Sequence, residues 1–274
     1  FRVLPDWRLD DLMISFSVPG GGVGPHIDQY DVFIIQGMGS RRWRVGDKLP
    51  MRQFCPHPAL LHVDPFPPII DEDLEPGDIL YIPPGFPHDG ITHETALNYS
   101  VGFRGPNGRD LISSFADYVL ENDLGGEHYS DPDLTCREHP GRVEEYELER
   151  LRTMMIDMIR QPEDFKQWFG SFVTTPRHEL DIAPAEPPYE EEEVVDALLG
   201  GEKLSRLSGL RVLHIGDSFF VHSEQLDTTD AEALDALCRY TSLGQEELGS
   251  GLQNPAFVSE LTRLINQGYW YFEE

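Results

Sequence analysis

Two short segments of the chain carry residues that could hold a metal ion. In Gly20-Gly21-Gly22-Val23-Gly24-Pro25-His26-Ile27-Asp28 a histidine and an aspartate stand two positions apart. At the start of a strand, residues i and i+2 project from one face, so both side chains would reach the same ion. The third candidate, His88, closes Glu75-Pro76-Gly77-Asp78-Ile79-Leu80-Tyr81-Ile82-Pro83-Pro84-Gly85-Phe86-Pro87-His88, at a distance along the chain that suits another strand of the same barrel. Two histidines and one carboxylate on one side of a metal leave the opposite positions open, which is how non-haem Fe(II) oxygenases bind a cosubstrate and dioxygen. Zinc enzymes use a similar set. A zinc hydrolase, however, more often shows two histidines on one helix beside a glutamate base, as in HExxH, which is absent from this sequence. HxD alone is a common chance pairing. The glycine-rich approach to it, the proline-glycine turn before His88 and the strand context give the three residues their weight.

An oxoacid cosubstrate chelating such an ion leaves a distal carboxylate for a cation to hold, and the planar fork of arginine does this bidentately. Arg41, Arg42 and Arg44 follow the turn Gly37-Met38-Gly39-Ser40, and strand alternation sends Arg41 to the face opposite Arg42. From the residues alone, a surface ion pair is the default reading for each of the three. His57 and His62 read as part of a proline-rich loop, and His93 as the one further histidine placed to support a ligand. Tyr30 and Asp31 could meet a substrate, and nothing in the sequence decides it.

The elements that must position these side chains are short. Strand-like runs, Leu12-Val18, Tyr30-Gly37, Arg41-Val45, Ile79-Ile82 and Ala96-Phe103, are separated by Gly and Pro turns, the pattern of an antiparallel sandwich or barrel. Helices are expected over Asp110-Glu121 and from about Val143 to Arg160. In the second, Val143, Tyr146, Leu151, Met154, Met155 and Met158 form an apolar stripe, either a core face or a surface for a second subunit. Pro176, Pro184, Pro187 and Pro188, with Glu190–Glu193 after them, read as a linker. Beyond it come an acidic helix near Glu191-Leu199 and a hairpin turning at Gly216-Asp217. A Thr229/Glu232 capping box and a helix bracketed by Asn254-Pro255 and Gly268 follow, together a winged-helix-like α+β domain.

The expected organisation is therefore mainly β with α: a barrel over 1–106, a helical region over 107–173, a linker over 174–189 and the winged-helix-like domain over 190–274. The formal charge is −28, from 21 Lys and Arg against 49 Asp and Glu. That balance argues against direct nucleic-acid binding, even for a winged helix; it can attract a basic protein partner, and maintaining solubility is an equally open reading of composition alone. No apolar run approaches the ~18 residues that a membrane span needs, so no membrane partner is expected. Cys55, Cys136 and Cys238 are odd in number and widely spaced, which fits a reducing cytoplasm better than a disulfide framework. The opening Phe1-Arg2-Val3-Leu4-Pro5 lacks an initiator Met and a signal-peptide pattern, and reads as a start inside a longer gene product.

The spacing Gly20-x5-His26-x-Asp28 followed by Gly77-x5-Pro83-x-Gly85-x2-His88 resembles the paired motifs of the cupin superfamily, with HxD and a distal His as in JmjC oxygenases. The longer string His26-Ile27-Asp28-Gln29-Tyr30-Asp31-Val32-Phe33-Ile34-Ile35-Gln36-Gly37, continuing to Arg41-Arg42-Trp43-Arg44-Val45, is similar to the bacterial ribosomal oxygenases, JmjC-type arginine hydroxylases of a large-subunit ribosomal protein. The resemblance implies a double-stranded β-helix barrel, a helical dimerisation region and a C-terminal winged helix. It implies Fe(II) on His26, Asp28 and His88, and 2-oxoglutarate as cosubstrate. Arg41 is then the 2-oxoglutarate clamp, with Ser17 and Asn98 supporting it by hydrogen bonds. The partners implied are a basic ribosomal protein substrate, dioxygen and a second copy of the chain. A histidine or another protein residue as target, a cupin activity without 2-oxoglutarate, and a non-catalytic protein-binding barrel are the competing readings.

Overall fold

The computed structural model describes residues 4–57, 60–227 and 230–273. The chain divides into two units, Phe1–Pro106 and Asn107–Glu274. In the first, the strands are β1 (Leu9–Ser17), β2 (His26–Ile27), β3 (Asp31–Met38), β4 (Arg41–Gly46), β5 (Gln53–His57), β6 (Leu60–Val63), β7 (Pro68–Leu74), β8 (Ile79–Ile82), β9 (Pro87–Thr92) and β10 (Ala96–Phe103). They form two sheets, ordered β1-β10-β3-β8 and β5-β6-β2-β9-β4-β7, with antiparallel pairings throughout. Chain neighbours such as β3 and β4 lie in different sheets, so the chain winds between the two as in a double-stranded β-helix.

Period-2 alternation decides which side chains face the interior. On β3, Val32, Ile34 and Gln36 are buried while their neighbours are partly exposed. On β4, Arg41, Trp43 and Val45 are buried and Arg42 is not. Val32, Ile34, Trp43, Val45 and Ile82 form one apolar cluster inside the barrel, and Ile27, Val63 and Phe66 a second. The strands expected at Ile79-Ile82 and Ala96-Phe103 match β8 and β10, and those expected near β1, β3 and β4 lie within a few residues of the observed bounds. Alternation is missing where strands went unread. On β7, six of its seven residues are exposed, Asp71 and Asp73 among them.

The second unit opens with three helices, α1 (Gly108–Glu121), α2 (Glu145–Arg160) and α3 (Pro162–Thr174). Asn107 caps α1, accepting from the Arg109 and Asp110 amides, and Trp168 of α3 packs edge-on against Phe115 while its indole donates to Ser114 Oγ at 3.0 Å. Beyond α3 come α4 (Glu191–Leu199), β11 (Leu204–Arg206), β12 (Val212–Ile215), β13 (Ser218–Val221), β14 (Glu224–Gln225), α5 (Ala231–Arg239), β15 (Ser242–Leu243), α6 (Gln245–Leu248), α7 (Pro255–Asn266) and β16 (Trp270–Phe272). Leu198, Leu204, Leu237, Phe257, Leu261 and Trp270 meet in its core. Gly170 of α3 lies against the ring of Phe220, where a Cβ would stand 2.4 Å away, so α3 packs closely on the hairpin. The segment after α3 is pinned to α7: the Ala185 amide donates to Asn266 O at 3.1 Å and the Tyr189 amide to Asn266 Oδ1 at 2.7 Å.

Three local expectations change. The helix expected from Val143 starts at Glu145, and its apolar stripe is not a core face within this chain: no residue of α2 is buried, and Tyr146, Leu151, Met154 and Met155 are exposed. Thr229 lies outside the described residues, and the N-cap of α5 is Asp230, whose side chain accepts from the Ala233 amide. The strand at His26 ends at Ile27, so Asp28 follows the strand instead of sharing it. Among the described residues no helix is long and apolar enough to cross a membrane.

Candidate metal centre

His26 on β2 pairs across the sheet with His88 on β9, which brings their rings to 4.1 Å between centroids. Each ring is oriented by its own backbone: His26 Nδ1 donates to Gly24 O at 2.9 Å and His88 Nδ1 to Phe86 O at 3.1 Å. A carbonyl only accepts, so both protons sit on Nδ1 and both Nε2 lone pairs are left for an ion. Asp28 completes the group, with Oδ2 3.5 Å from His88 Nε2. One donor atom from each of the three residues lies within 4.8 Å of the others. Since β2 stops at Ile27, Asp28 is held by its carbonyl, which accepts from the Gly85 amide at 2.8 Å. The turn Pro83–Phe86 therefore serves both halves of the centre.

Burial, and then the neighbouring His88 ring, push the His26 imidazole below its ordinary pKa, keeping it neutral and able to donate a lone pair. For Asp28, burial works to raise the pKa, but the neighbouring imidazoles, His88 first and then His26, outweigh it and hold the carboxyl below its usual range. A neutral imidazole at His26 and an ionised carboxylate at Asp28 are the protonation states in which these two side chains can bind a divalent ion.

Arg41 and Asn98 form a second group. Arg41 is buried, with Nη1 donating to Asn98 Oδ1 at 2.9 Å, Nη2 to Gly90 O at 3.1 Å, and the guanidinium 4.6 Å above the Trp43 ring. Burial lowers its pKa from the ordinary value while the charge of Asp89 raises it, and the group stays cationic. Arg41 Nε, Trp43 Nε1 and Asn98 Nδ2 are all buried donors without a partner among the described residues. Buried donors are normally satisfied. Three orphans around one guanidinium fit a multi-oxygen anion such as the distal carboxylate of 2-oxoglutarate. Ser17 does not meet Arg41 directly in any described hydrogen bond; its hydroxyl bonds Thr92 Oγ1 at 2.7 Å, and Thr92 is the cross-strand partner of Arg41.

Other candidates fall elsewhere. His93 is exposed and bonded to Asp73 at 2.8 Å, away from the ligands. Asp31 accepts from Arg8 and Tyr81, each at 2.6 Å. Tyr30 feels both burial and the charges of Asp28, Asp11 and Asp10, which push its phenol up to about 12. His62, read as a loop residue, lies on β6 directly across from His26, its ring stacked on Phe54. Trp43, Thr92 and Gly90 were also missed. Only Trp43 carried a signal, sharing the inward face of β4 with Arg41.

A double-stranded β-helix with a His-Asp-His group at one end and a buried arginine beside it defines a JmjC-type barrel. The model of the JmjC domain matches residues 1–111, and that of the ROXA-like winged helix matches 157–271. The ribosomal protein uL16 3-hydroxylase of Escherichia coli K12 is 64% identical over 273 residues, covering 100% of this chain and 73% of that protein. A structure of the E. coli ribosomal oxygenase YcfD in complex with cobalt and 2-oxoglutarate superposes with a TM-score of 0.93 at 61% identity, covering 100% of this chain and 73% of that one. A probable ribosomal oxygenase of Haemophilus influenzae is 29% identical over 267 residues, covering 89% of this chain and 64% of that protein. The chain belongs to the ribosomal oxygenase family of JmjC proteins.

Proposed function

We propose that this chain is an Fe(II)- and 2-oxoglutarate-dependent oxygenase that hydroxylates an arginine side chain of ribosomal protein uL16. The observation that carries the reading is the convergence of His26, Asp28 and His88, with both imidazole Nδ1 protons committed to backbone carbonyls. These three side chains would hold the iron. Arg41 takes the distal carboxylate of 2-oxoglutarate, supported by Asn98 and, more remotely, by Ser17 through Thr92. When bound, iron and 2-oxoglutarate would supply the activation of dioxygen, with 2-oxoglutarate oxidised to succinate and carbon dioxide and one oxygen atom inserted into the target C–H bond.

Val32, Ile34, Val45 and Ile82 pack with Trp43 as an apolar part of the barrel interior, and Trp43 lies 6.2 Å from the His88 ring. Burial and the carboxylates of Asp28, Asp11 and Asp10 raise the Tyr30 phenol against the opposing charge of Arg104, so that it stays neutral.

The formal charge of −28 supports recruitment of a basic ribosomal protein and weighs against direct nucleic-acid contact; we place this in the cytoplasm, in keeping with three widely spaced cysteines. We read 1–106 as the oxygenase barrel, 107–173 as a dimerisation region, 174–189 as the linker and 190–274 as the winged helix. The exposed stripe of α2 supports a homodimer.

The test is mass spectrometry of recombinant uL16 after incubation with the protein, Fe(II), 2-oxoglutarate and air, beside a His26→Ala control. Gain of one oxygen on an arginine, absent in the control, is expected. Consumption of 2-oxoglutarate without modification of uL16 would redirect the reading to another substrate.

A further inference from the structure

We propose that Trp43 is a cosubstrate-binding residue: its indole forms the floor along which 2-oxoglutarate lies between Arg41 and the metal, and its N–H donates a hydrogen bond to that ligand. The proposal rests on the oxygenase reading and adds to it a residue that composition and motif leave unassigned.

Three observations place Trp43 there. It is two residues beyond Arg41 on β4, so both side chains enter the barrel from one face, and it is only 5% exposed. Its ring lies 4.6 Å beneath the Arg41 guanidinium and 6.2 Å from the ring of His88, and so spans the gap between the proposed clamp and a proposed metal ligand. A dicarboxylate chelating the metal at one end and held by Arg41 at the other must cross that gap. Across the sheet, Trp43 pairs with Gly90, where a Cβ would stand 3.0 Å from Trp43 Cη2 and 2.8 Å from Arg41 Nε; the β9 backbone therefore backs both groups closely.

The indole Nε1 points to the ligand chemistry. It is buried with no acceptor among the described residues: the buried side chains clustered with it, Val32, Ile34, Val45 and Ile82, have no polar atom, and the Tyr30 hydroxyl packed against that cluster does not bond it. An indole N–H can only donate, and a buried donor without an acceptor is rarely retained. The orphaned Arg41 Nε and Asn98 Nδ2 belong to the same group, so the missing acceptor is an anion with several oxygens.

The test compares the wild-type chain with Trp43→Phe, which keeps an aromatic floor and removes the N–H. Both are loaded with Mn(II) and titrated with 2-oxoglutarate by calorimetry, and Mn(II) affinity is measured separately. The expected result is unchanged Mn(II) affinity with 2-oxoglutarate binding weakened roughly ten- to hundred-fold, the range for one hydrogen bond to a charged acceptor. In turnover, the KM for 2-oxoglutarate rises while the KM for uL16 and kcat at saturating 2-oxoglutarate are held. Equal 2-oxoglutarate affinity in the two proteins overturns the proposal and leaves the oxygenase reading standing. Failure of the wild-type, Mn(II)-loaded protein to bind 2-oxoglutarate overturns both. If the variant does not fold, the wild-type protein labelled with 15N-tryptophan and loaded with Zn(II) decides the matter. One of its four indole N–H resonances should shift on adding 2-oxoglutarate, and no shift in any of them overturns the proposal.

Discussion

Gly90 and Arg41 are fitted to each other: a Cβ at position 90 would stand 2.8 Å from Arg41 Nε and 3.0 Å from Nη2, while the Gly90 carbonyl accepts from that same Nη2. The side chain missing at 90 is what lets the guanidinium lie flat on β9. Gly90→Ala is therefore expected to push Arg41 off Asn98, raising the KM for 2-oxoglutarate by about ten-fold or more. Overpacking should also lower stability by about 1–3 kcal/mol. Calorimetric titration with 2-oxoglutarate and thermal melts check both, and an unaltered 2-oxoglutarate affinity would show that Arg41 is not the clamp.

Gly85 ties the two halves of the metal centre, its amide donating to Asp28 O while its φ is +82°. The contact a Cβ would make is with Lys48 Cε, the far end of a flexible chain, so sterics there are cheap and the backbone conformation decides the outcome. Gly85→Ala should cost about 1–2 kcal/mol through the left-handed conformation. It should also weaken metal binding, because relaxation of φ moves the amide that positions Asp28. Metal titration monitored by calorimetry tests this; a variant that melts lower yet binds Mn(II) as tightly as the wild type would separate the turn from the site.

How much of this was legible in the sequence depended on whether a residue carried its own signal. His26, Asp28 and His88 could be read because glycine-rich and proline-glycine turns surround side chains of unmistakable chemistry, and Arg41 because alternation separates it from Arg42. Ser17 and Asn98 are ordinary polar strand residues whose partners, Thr92 and Arg41, lie 75 and 57 positions away, a relation fixed only by register. His62 and Gly90 matter through cross-strand pairing, which no local pattern encodes. β7 went unread because exposed edge residues show no period of two. The stripe on α2 was visible, but spacing says only that a helix has an apolar face, not what covers it.

That stripe leads to a prediction about assembly. Leu151 and Met155 are exposed on α2, and large apolar side chains at successive turns of a helix favour burial against another surface. If the stripe is the contact of the proposed homodimer, the wild type sediments as a dimer and Leu151→Asp with Met155→Asp as a monomer in analytical ultracentrifugation. Because neither side chain is buried within its own chain, the fold of each copy should survive, with the circular dichroism spectrum unchanged. A sedimentation coefficient that does not fall would move the contact elsewhere.

The N-terminus of α2 offers a pH test. Glu147 accepts from both Nη atoms of Arg137 and from the Glu144 amide, and these bonds, the arginine's first, hold its carboxyl below the ordinary 4.5 against the opposing effect of burial. A carboxylate whose folded pKa is depressed adds stability that is present above its unfolded value and is lost as pH falls through the folded one. The chain carries many other carboxylates, so acid melting alone is uninformative, and the difference between the wild type and Glu147→Gln isolates this residue. Glutamine can still accept from the Glu144 amide but cannot pair with Arg137. The wild type should melt higher than the variant at pH 7, and the gap should close as pH drops below about 4.5. A gap that is constant with pH would mean that Glu147 acts through its hydrogen-bond geometry and not through its charge.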